Sequence, residues 1–264
     1  MTIAVRQLRG GAGGRVPPNR GRLLSLGPLL VPLVLLVAWQ LLAATLGDFY
    51  VAAPADAVSA LQSGVAEGWL GDQTLYTLYA VAYGFAMASV LGLILGFSLG
   101  LSPFLYHVFE PIVMALYSLP KIVLFPILLF VFGVGTSAEA WLGFNFGVFP
   151  VLVLTMSATR NVRPITLKLA RSLGLSGPRT ARLIILPAIV PQVAIGLRMA
   201  FGLTFLGVIM AEMFASQRGL GFLLSQSVTL HDMPRMYGVV LLLFLLAGGG
   251  TAIFLWWEKR LHKA

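Results

Sequence analysis

The chain has 264 residues, 58% of them hydrophobic and only 10% charged, with a mean hydropathy of +0.92. Soluble domains carry about 25% charged residues, so there is too little polar surface here to coat a water-soluble body, and lipid must solvate much of the chain. Cysteine is absent, which excludes disulfides, thiolate metal centres and cysteine-linked lipid anchors.

Residues 1–22 are rich in glycine, proline and arginine and are expected to form a disordered basic tail. A membrane span needs about 20 mostly apolar residues, and six stretches qualify: 23–46, 74–101, 108–131, 138–156, 190–214 and 236–256. The first is too long for the apolar core of a cleaved secretory signal, so it is read as a retained anchor. The fold class expected is an all-α membrane protein with six predicted transmembrane helices, occupying residues 23–264.

The joint after the first span, residues 47–73, is acidic through Asp48, Asp56, Glu67 and Asp72. Val58, Leu61 and Val65 recur at helical spacing, with Pro54 placed for a first turn. A short amphipathic helix is expected, either interfacial or packed as a lid. In the second span Gly92, Gly96 and Gly100 repeat every four residues, and Gly143 and Gly147 do so in the fourth. Such rows allow close backbone approach, within one subunit or between two.

The third span, LPKIVLFPILLFVFG, contains Pro120 and Pro126, which interrupt the helical hydrogen-bond ladder. Lys121 stands beside the break, where a lysine at mid-bilayer costs on the order of 3 kcal/mol. Arg198 in the fifth span is a second intramembrane charge, and Glu212 further along offers an acidic partner. Lys121, Arg198, Glu212 and Pro120 are therefore candidates for a translocation path, with snorkelling to the interface as the alternative.

Enzymatic constellations are poor. Ser118 and Lys121 form S-x-x-K without its companion motifs, and His107, His231 and His262 are scattered, so neither a nucleophile pair nor a metal helix is expected. No G-x-x-x-x-G-K-[ST] phosphate loop occurs, so ATP hydrolysis would require another chain.

Lysine and arginine are distributed unevenly. Five precede the first span, and none lies in the next three joints. Six lie between the fourth and fifth spans (Arg160, Arg163, Lys168, Arg171, Arg179, Arg182), two between the fifth and sixth (Arg218, Arg235), and three follow (Lys259, Arg260, Lys263). With the N-terminal tail inside, fourteen fall on the cytoplasmic side and two outside. The positive-inside rule then puts both termini and the fourth joint in the cytoplasm. The basic excess is a topology signal, and no nucleic-acid partner is inferred.

That fourth joint contains LARSLGLSGPRTARLIILP (169–187). Pro164 is placed to open a helix ending at Gly174, a residue suited to a left-handed cap. Ser176 is placed to cap a second helix that Pro187 ends. Ile165, Leu169 and Ser172 or Leu173 would share one face of the first helix, with Lys168 and Arg171 off it. Such a segment suits docking in another protein's groove or resting on anionic headgroups.

The segment resembles the EAA loop of inner-membrane permease subunits of bacterial ABC importers: E-A-A, three residues, glycine, nine residues, isoleucine, one residue, Leu-Pro. Lys168-Leu169-Ala170 occupies the triplet, Gly174 the glycine, Ile184 the isoleucine and Leu186-Pro187 the end, with every spacing kept. LPKIVLFPILLFVFGVG (119–135) and AEMFASQRGLGFLL (211–224) resemble the branch that includes nitrate, sulfonate, taurine and bicarbonate permeases. The chain departs from the pattern at Lys168, where the family has glutamate, at Leu169, where it has alanine, and at Ala80, where many relatives carry arginine.

The resemblance implies a MetI-like transmembrane domain in the bacterial inner membrane. It implies a dimer with a second permease copy or paralogue, separate ABC ATPase subunits that carry ATP and Mg, and an extracytoplasmic solute-binding protein. No cofactor is expected in this chain. The loop at about 159–189 would couple to the ATPase through Lys168, Leu169, Ala170, Arg171, Gly174, Ile184, Leu186 and Pro187. The small-molecule substrate implied is an anion such as a sulfonate or nitrate. A secondary transporter or channel working without an ATPase is the alternative; such proteins often show inverted halves, and no convincing repeat is visible. Because the chain lacks cysteine, Arg171→Cys and Arg179→Cys each provide a single label: a membrane-impermeant thiol reagent should reach them in inverted vesicles and not in intact cells.

Overall fold

The computed structural model describes residues 20–47 and 49–261, with side chains from residue 30 onward. The expected disordered tail lies almost wholly outside the described residues. Helix α1, Arg20–Leu46, begins two residues before the tail was expected to end. Beyond it, Trp39 Nε1 donates to Ala52 O (3.0 Å), tying the segment after the helix back to it.

The other described residues are helical throughout apart from short joints. They form α2 (Pro54–Ala66), α3 (Trp69–Leu101), α4 (Pro103–Ser118), a 3-10 turn (Lys121–Leu124), α5 (Phe125–Phe132), α6 (Thr136–Arg160) and α7 (Pro164–Ser172). After these come α8 (Gly177–Thr180), a π-helical turn (Ala181–Ile185), α9 (Leu186–Ala215), α10 (Leu220–Thr229) and α11 (Met233–Leu261).

Among the described residues four helical runs are long and apolar enough to cross a membrane, or five if α4 and the segment Lys121–Phe132 count as one broken span. The count of six is therefore not reproduced. The described side chains of α1 cover an apolar length of only Leu30–Leu46, and the third expected span is bent by 83° between Ser118 and Lys121. The bend sits at Leu119, whose extended backbone (ψ 140°) is what a residue before proline prefers. Pro126 does not break the chain: it lies in the first turn of α5, where its missing N–H costs nothing.

Helices α3, α6 and α9 form the centre of the bundle, and their approach is made by missing side chains. A Cβ at Gly96 would lie 2.6 Å from Leu152 O, one at Gly100 2.6 Å from Met156 O, and one at Gly92 2.7 Å from Val151 Cβ. The row on α3 therefore faces α6. A Cβ at Gly143 would lie 2.7 Å from Val208 Cγ2, so the row on α6 faces α9. Both rows pack within this chain. Helix α11 joins through ring contacts among Phe85, Phe201 and Phe254 and through an ion pair, Arg198 Nε to Glu258 Oε2, at 3.2 Å.

Helix α2 packs on the bundle by its small residues. Ala57 and Gly64 are buried and Leu61 packs beside the core, whereas Val58 and Val65 are exposed. The approach is close: a Cβ at Gly238 of α11 would lie 2.8 Å from Ala57 O, and one at Gly64 would lie 2.5 Å from Trp69 Cζ2.

The N-terminus of α10 is held by side chains. Gly219 N–H donates to Gln73 Oε1 (2.5 Å), Leu220 N–H to Thr77 Oγ1 (2.8 Å) and Gly221 N–H to Glu212 Oε2 (2.8 Å). Thr77 Oγ1 in turn donates to Glu212 Oε2 (3.0 Å). Three of the N–H groups that a helix start leaves unpaired are thus satisfied from α3 and α9, and a carboxyl group sits at the positive end of the helix dipole.

Two stability outcomes follow from this packing. Gly96→Ala should destabilise the detergent-solubilised protein by about 1–3 kcal/mol through overpacking in thermal unfolding, while Gly202→Ala, with open space around its Cβ, should not. Glu212→Ala should cost about 1–3 kcal/mol by stripping partners from buried donors, with faster hydrogen exchange at Leu220 and Gly221, and Glu212→Gln should cost less.

Candidate functional site

The basic elbow after α6 is a built structure. Pro164 occupies the first turn of α7. At the other end, Gly174 N–H donates to Arg171 O (3.0 Å) and Leu175 N–H to Ala170 O (3.1 Å), with Gly174 at φ +66°. This pair of bonds around a left-handed glycine is the Schellman ending. Ala170 is fully buried, while Ile165, Leu169 and Leu173 are 70%, 56% and 65% exposed. Helix α7 therefore holds on by a small residue and presents an apolar stripe at i, i+4, i+8, with Lys168 and Arg171 exposed beside it.

The second elbow helix differs from expectation. Ser176 makes no side-chain cap, although its carbonyl accepts Thr180 N–H (2.8 Å). Pro187 does not end the helix, and the helical run continues from Gly177 to Ala215. Pro187 cannot donate to the carbonyl four residues back. The ladder slips to the wider π pitch over Ala181–Ile185, where Leu186 N–H bonds Ala181 O, and then resumes. Ile184 lies in this turn, and Leu186 and Pro187 open α9. Ile185, Ile189 and Val162 form a small core with Phe97 and Ala158 packed against it, joining the elbow to α3 and α6.

The intramembrane candidates are dispersed. Lys121 Nζ donates to Tyr117 O (2.8 Å) and lies 4.7, 5.8 and 5.2 Å from the ring centres of Tyr117, Phe146 and Phe149. The ammonium is thus held at the bend after Pro120 by a carbonyl and aromatic faces. Ser118 Oγ donates to Ala115 O (2.8 Å) and not to Lys121, so the S-x-x-K spacing assembles no nucleophile pair. Arg198 pairs with Glu258 rather than with the expected Glu212. Glu212, 1% exposed, caps α10.

Two features escaped the sequence. Glu139 in the first turn of α6 is 1% exposed and accepts from Tyr76 Oη (3.3 Å); one carboxyl oxygen of Glu139 and one of Glu212 have no hydrogen-bond partner. An acid inside the apolar run AEAWLGF was the available signal. The second is a mouth at this end of the bundle, a cavity of about 810 Å³ lined by Asp72, Gln73, Tyr76, Tyr79 and Arg218. A smaller cavity of about 230 Å³ shares Tyr76 and Arg218 and adds Ser216 and Gln217. At the opposite end, a cavity of about 280 Å³ is lined by Asn161, Arg163, Thr166 and Gln192 at the foot of the elbow. No group of three or more His, Asp or Glu residues suited to a metal ion occurs among the described residues.

Comparison with known proteins matches residues 88–264 to the family described as "Binding-protein-dependent transport system inner membrane component". The nitrate import permease protein NrtB of Synechococcus elongatus is 30% identical over 200 residues, covering 72% of this chain and 71% of that protein. The taurine transport system permease protein TauC of Escherichia coli is 26% identical, covering 81% and 79%. Among solved structures, an inward-facing MetNI methionine ABC transporter matches with a TM-score of 0.59 at 17% identity, over 71% of this chain and 91% of that one, which establishes a MetI-like fold. The relatives are transport permeases and not enzymes. An all-helical bundle with a basic helical elbow thus meets a family match over most of its length, and the chain belongs to the binding-protein-dependent inner membrane components, as a multi-pass ABC importer permease of the nitrate/sulfonate/taurine branch.

Proposed function

We propose that this chain forms the translocation path for a small anion such as a sulfonate or nitrate, delivered by an external binding protein and driven by ATPase subunits that dock on α7. The observation that carries the reading is the stripe of Ile165, Leu169 and Leu173, left exposed on a short basic helix whose opposite side is anchored by Ala170. An amphipathic helix with an unpartnered apolar face fits a groove in another protein. The positive-inside count supports a cytoplasmic position for this end and both termini, where ATP is available. The anion reading draws on the branch to which NrtB and TauC belong.

The proposed mechanics run through the elbow. Movement of the docked ATPase is transmitted by α7, which is stiffened at Gly174 and tied through Val162, Ile185 and Ile189 to α3 and α6. Those helices pack backbone to backbone, so displacement passes to the bundle as rigid-body motion rather than being absorbed. Lys168, Leu169, Ala170, Arg171 and Gly174 form the docking helix, and Ile184, Leu186 and Pro187 form its return through the π turn. Two copies of the permease, or this chain and a paralogue, enclose the path. Lys121, held at the bend by Pro120, is the cation proposed to face it; Arg198 and Glu212 serve packing instead.

Lys168 replaces the family's glutamate, so the matching groove on this ATPase is expected to carry acidic residues. Replacing Gly174, at φ +66°, by isoleucine strains the helix ending by about 1–2 kcal/mol and should reduce ATP-driven uptake at least tenfold while the protein stays in the membrane. Uptake at the parent rate would remove the lever role.

A further inference from the structure

We propose that the π turn Ala181–Ile185 is a register joint, which holds one residue in reserve between the elbow and α9 and takes up α pitch as the docked ATPase moves. This rests on the permease reading and adds a conformational device to it. In the turn, Leu186 N–H bonds Ala181 O, five residues back instead of four. Returning the turn to α pitch would rotate α8 by about 100° relative to α9 and shift it by about 1.5 Å along the axis. Residues 173–176 join α8 to the docking helix α7, so such a rotation is felt at the elbow.

Proline does not by itself account for the turn. Pro111 in α4, Pro150 in α6 and Pro191 in α9 also lie inside helices, and each helix keeps α pitch through its proline. Among the described residues the π pitch occurs at Ala181–Ile185 alone. What sets this place apart is an anchor on one side and room on the other. Ile185 and Ile189 are buried with Val162, and Phe97 and Ala158 pack against them. That side cannot shift without disturbing α3 and α6. On the other side Gly177, Pro178 and Arg179 are exposed, and a Cβ at Gly174 or Gly177 would meet nothing within 4 Å. Leu183, inside the turn, is 61% exposed. Pro187 and Pro191 each lack the N–H that would bond four residues back, so fewer bonds oppose a change of pitch here. The spare residue thus lies where a helix fixed to the bundle meets a segment with space to turn.

The test is a pair of spin-label distances in the nanodisc-embedded permease–ATPase complex, nucleotide-free and trapped with ATP and vanadate. The chain has no cysteine of its own, so Thr180→Cys with Gln192→Cys brackets the turn, and Gln192→Cys with Leu206→Cys lies wholly beyond it. A rotation of about 100° should change the first distance by about 5 Å or more on trapping, while the second stays constant. Deleting Leu183 removes the reserve: it should abolish that change and reduce ATP-driven uptake at least tenfold with ATP hydrolysis retained, whereas Leu183→Ala should keep both the change and the uptake. An unchanged first distance on trapping, or uptake at the parent rate with Leu183 deleted, would overturn the joint. Should the shortened chain fail to assemble, the distances in the full-length chain decide. The importer reading is judged separately, by ATP-driven uptake in the parent complex: uptake with a constant first distance removes the joint alone.

Discussion

Close backbone contact between α3, α6 and α9 is the constraint on which the rest of this structure depends. In lipid, apolar side chains gain little by leaving one apolar neighbour for another, so helix association relies on packing at short range. Glycines supply that range: a methyl group at Gly84 would lie 2.7 Å from Ala140 O, and the same holds at two or three further levels down each helix pair. The bundle is therefore stiff where it is most apolar, and its polar chemistry is displaced to the two ends.

At one end, buried carboxyl groups organise the joint between α9 and α10. Glu212 and Thr77 receive the first N–H groups of α10, and Glu139 fixes Tyr76. Glu212 lies among apolar helices because the start of α10 needs acceptors and is buried there. At the other end, the basic elbow has its own small apolar core and a defined helix ending. Helix α6, with 25 residues at 1.5 Å each, spans about 37 Å and connects the two ends as a single element. A displacement of the elbow and a change at the mouth are thus geometrically linked through a helix that glycine packing keeps from bending freely.

Several parts of this were legible in the residues. The break near Pro120, the stop at Gly174 and the exposed stripe on α7 follow from local backbone rules that operate whatever the surroundings. Other readings failed where a neighbour outweighed the local rule. Pro187 signalled an end, yet the helix passes through it by a π turn, and Ile185 before it and Ile189 after it are both held against α3 and α6. On α2, Gly64 faces inward where Trp69 leaves no room for a side chain, a contact that the spacing of Val58, Leu61 and Val65 does not reveal. Glu212 was assigned to Arg198 from their shared helix, but Arg198 is claimed by Glu258 across to α11.

By itself the sequence determined the solvent and the family. Those depend on summed hydrophobicity and on spacings along one chain, both of which are one-dimensional quantities. Only the tertiary structure decided which glycine row meets which helix, that Glu212 caps α10, and that Asp72 and Arg218, 146 positions apart, open onto one cavity. Those outcomes require the distance between residues far apart in the chain, and that distance is set by how closely three helices approach.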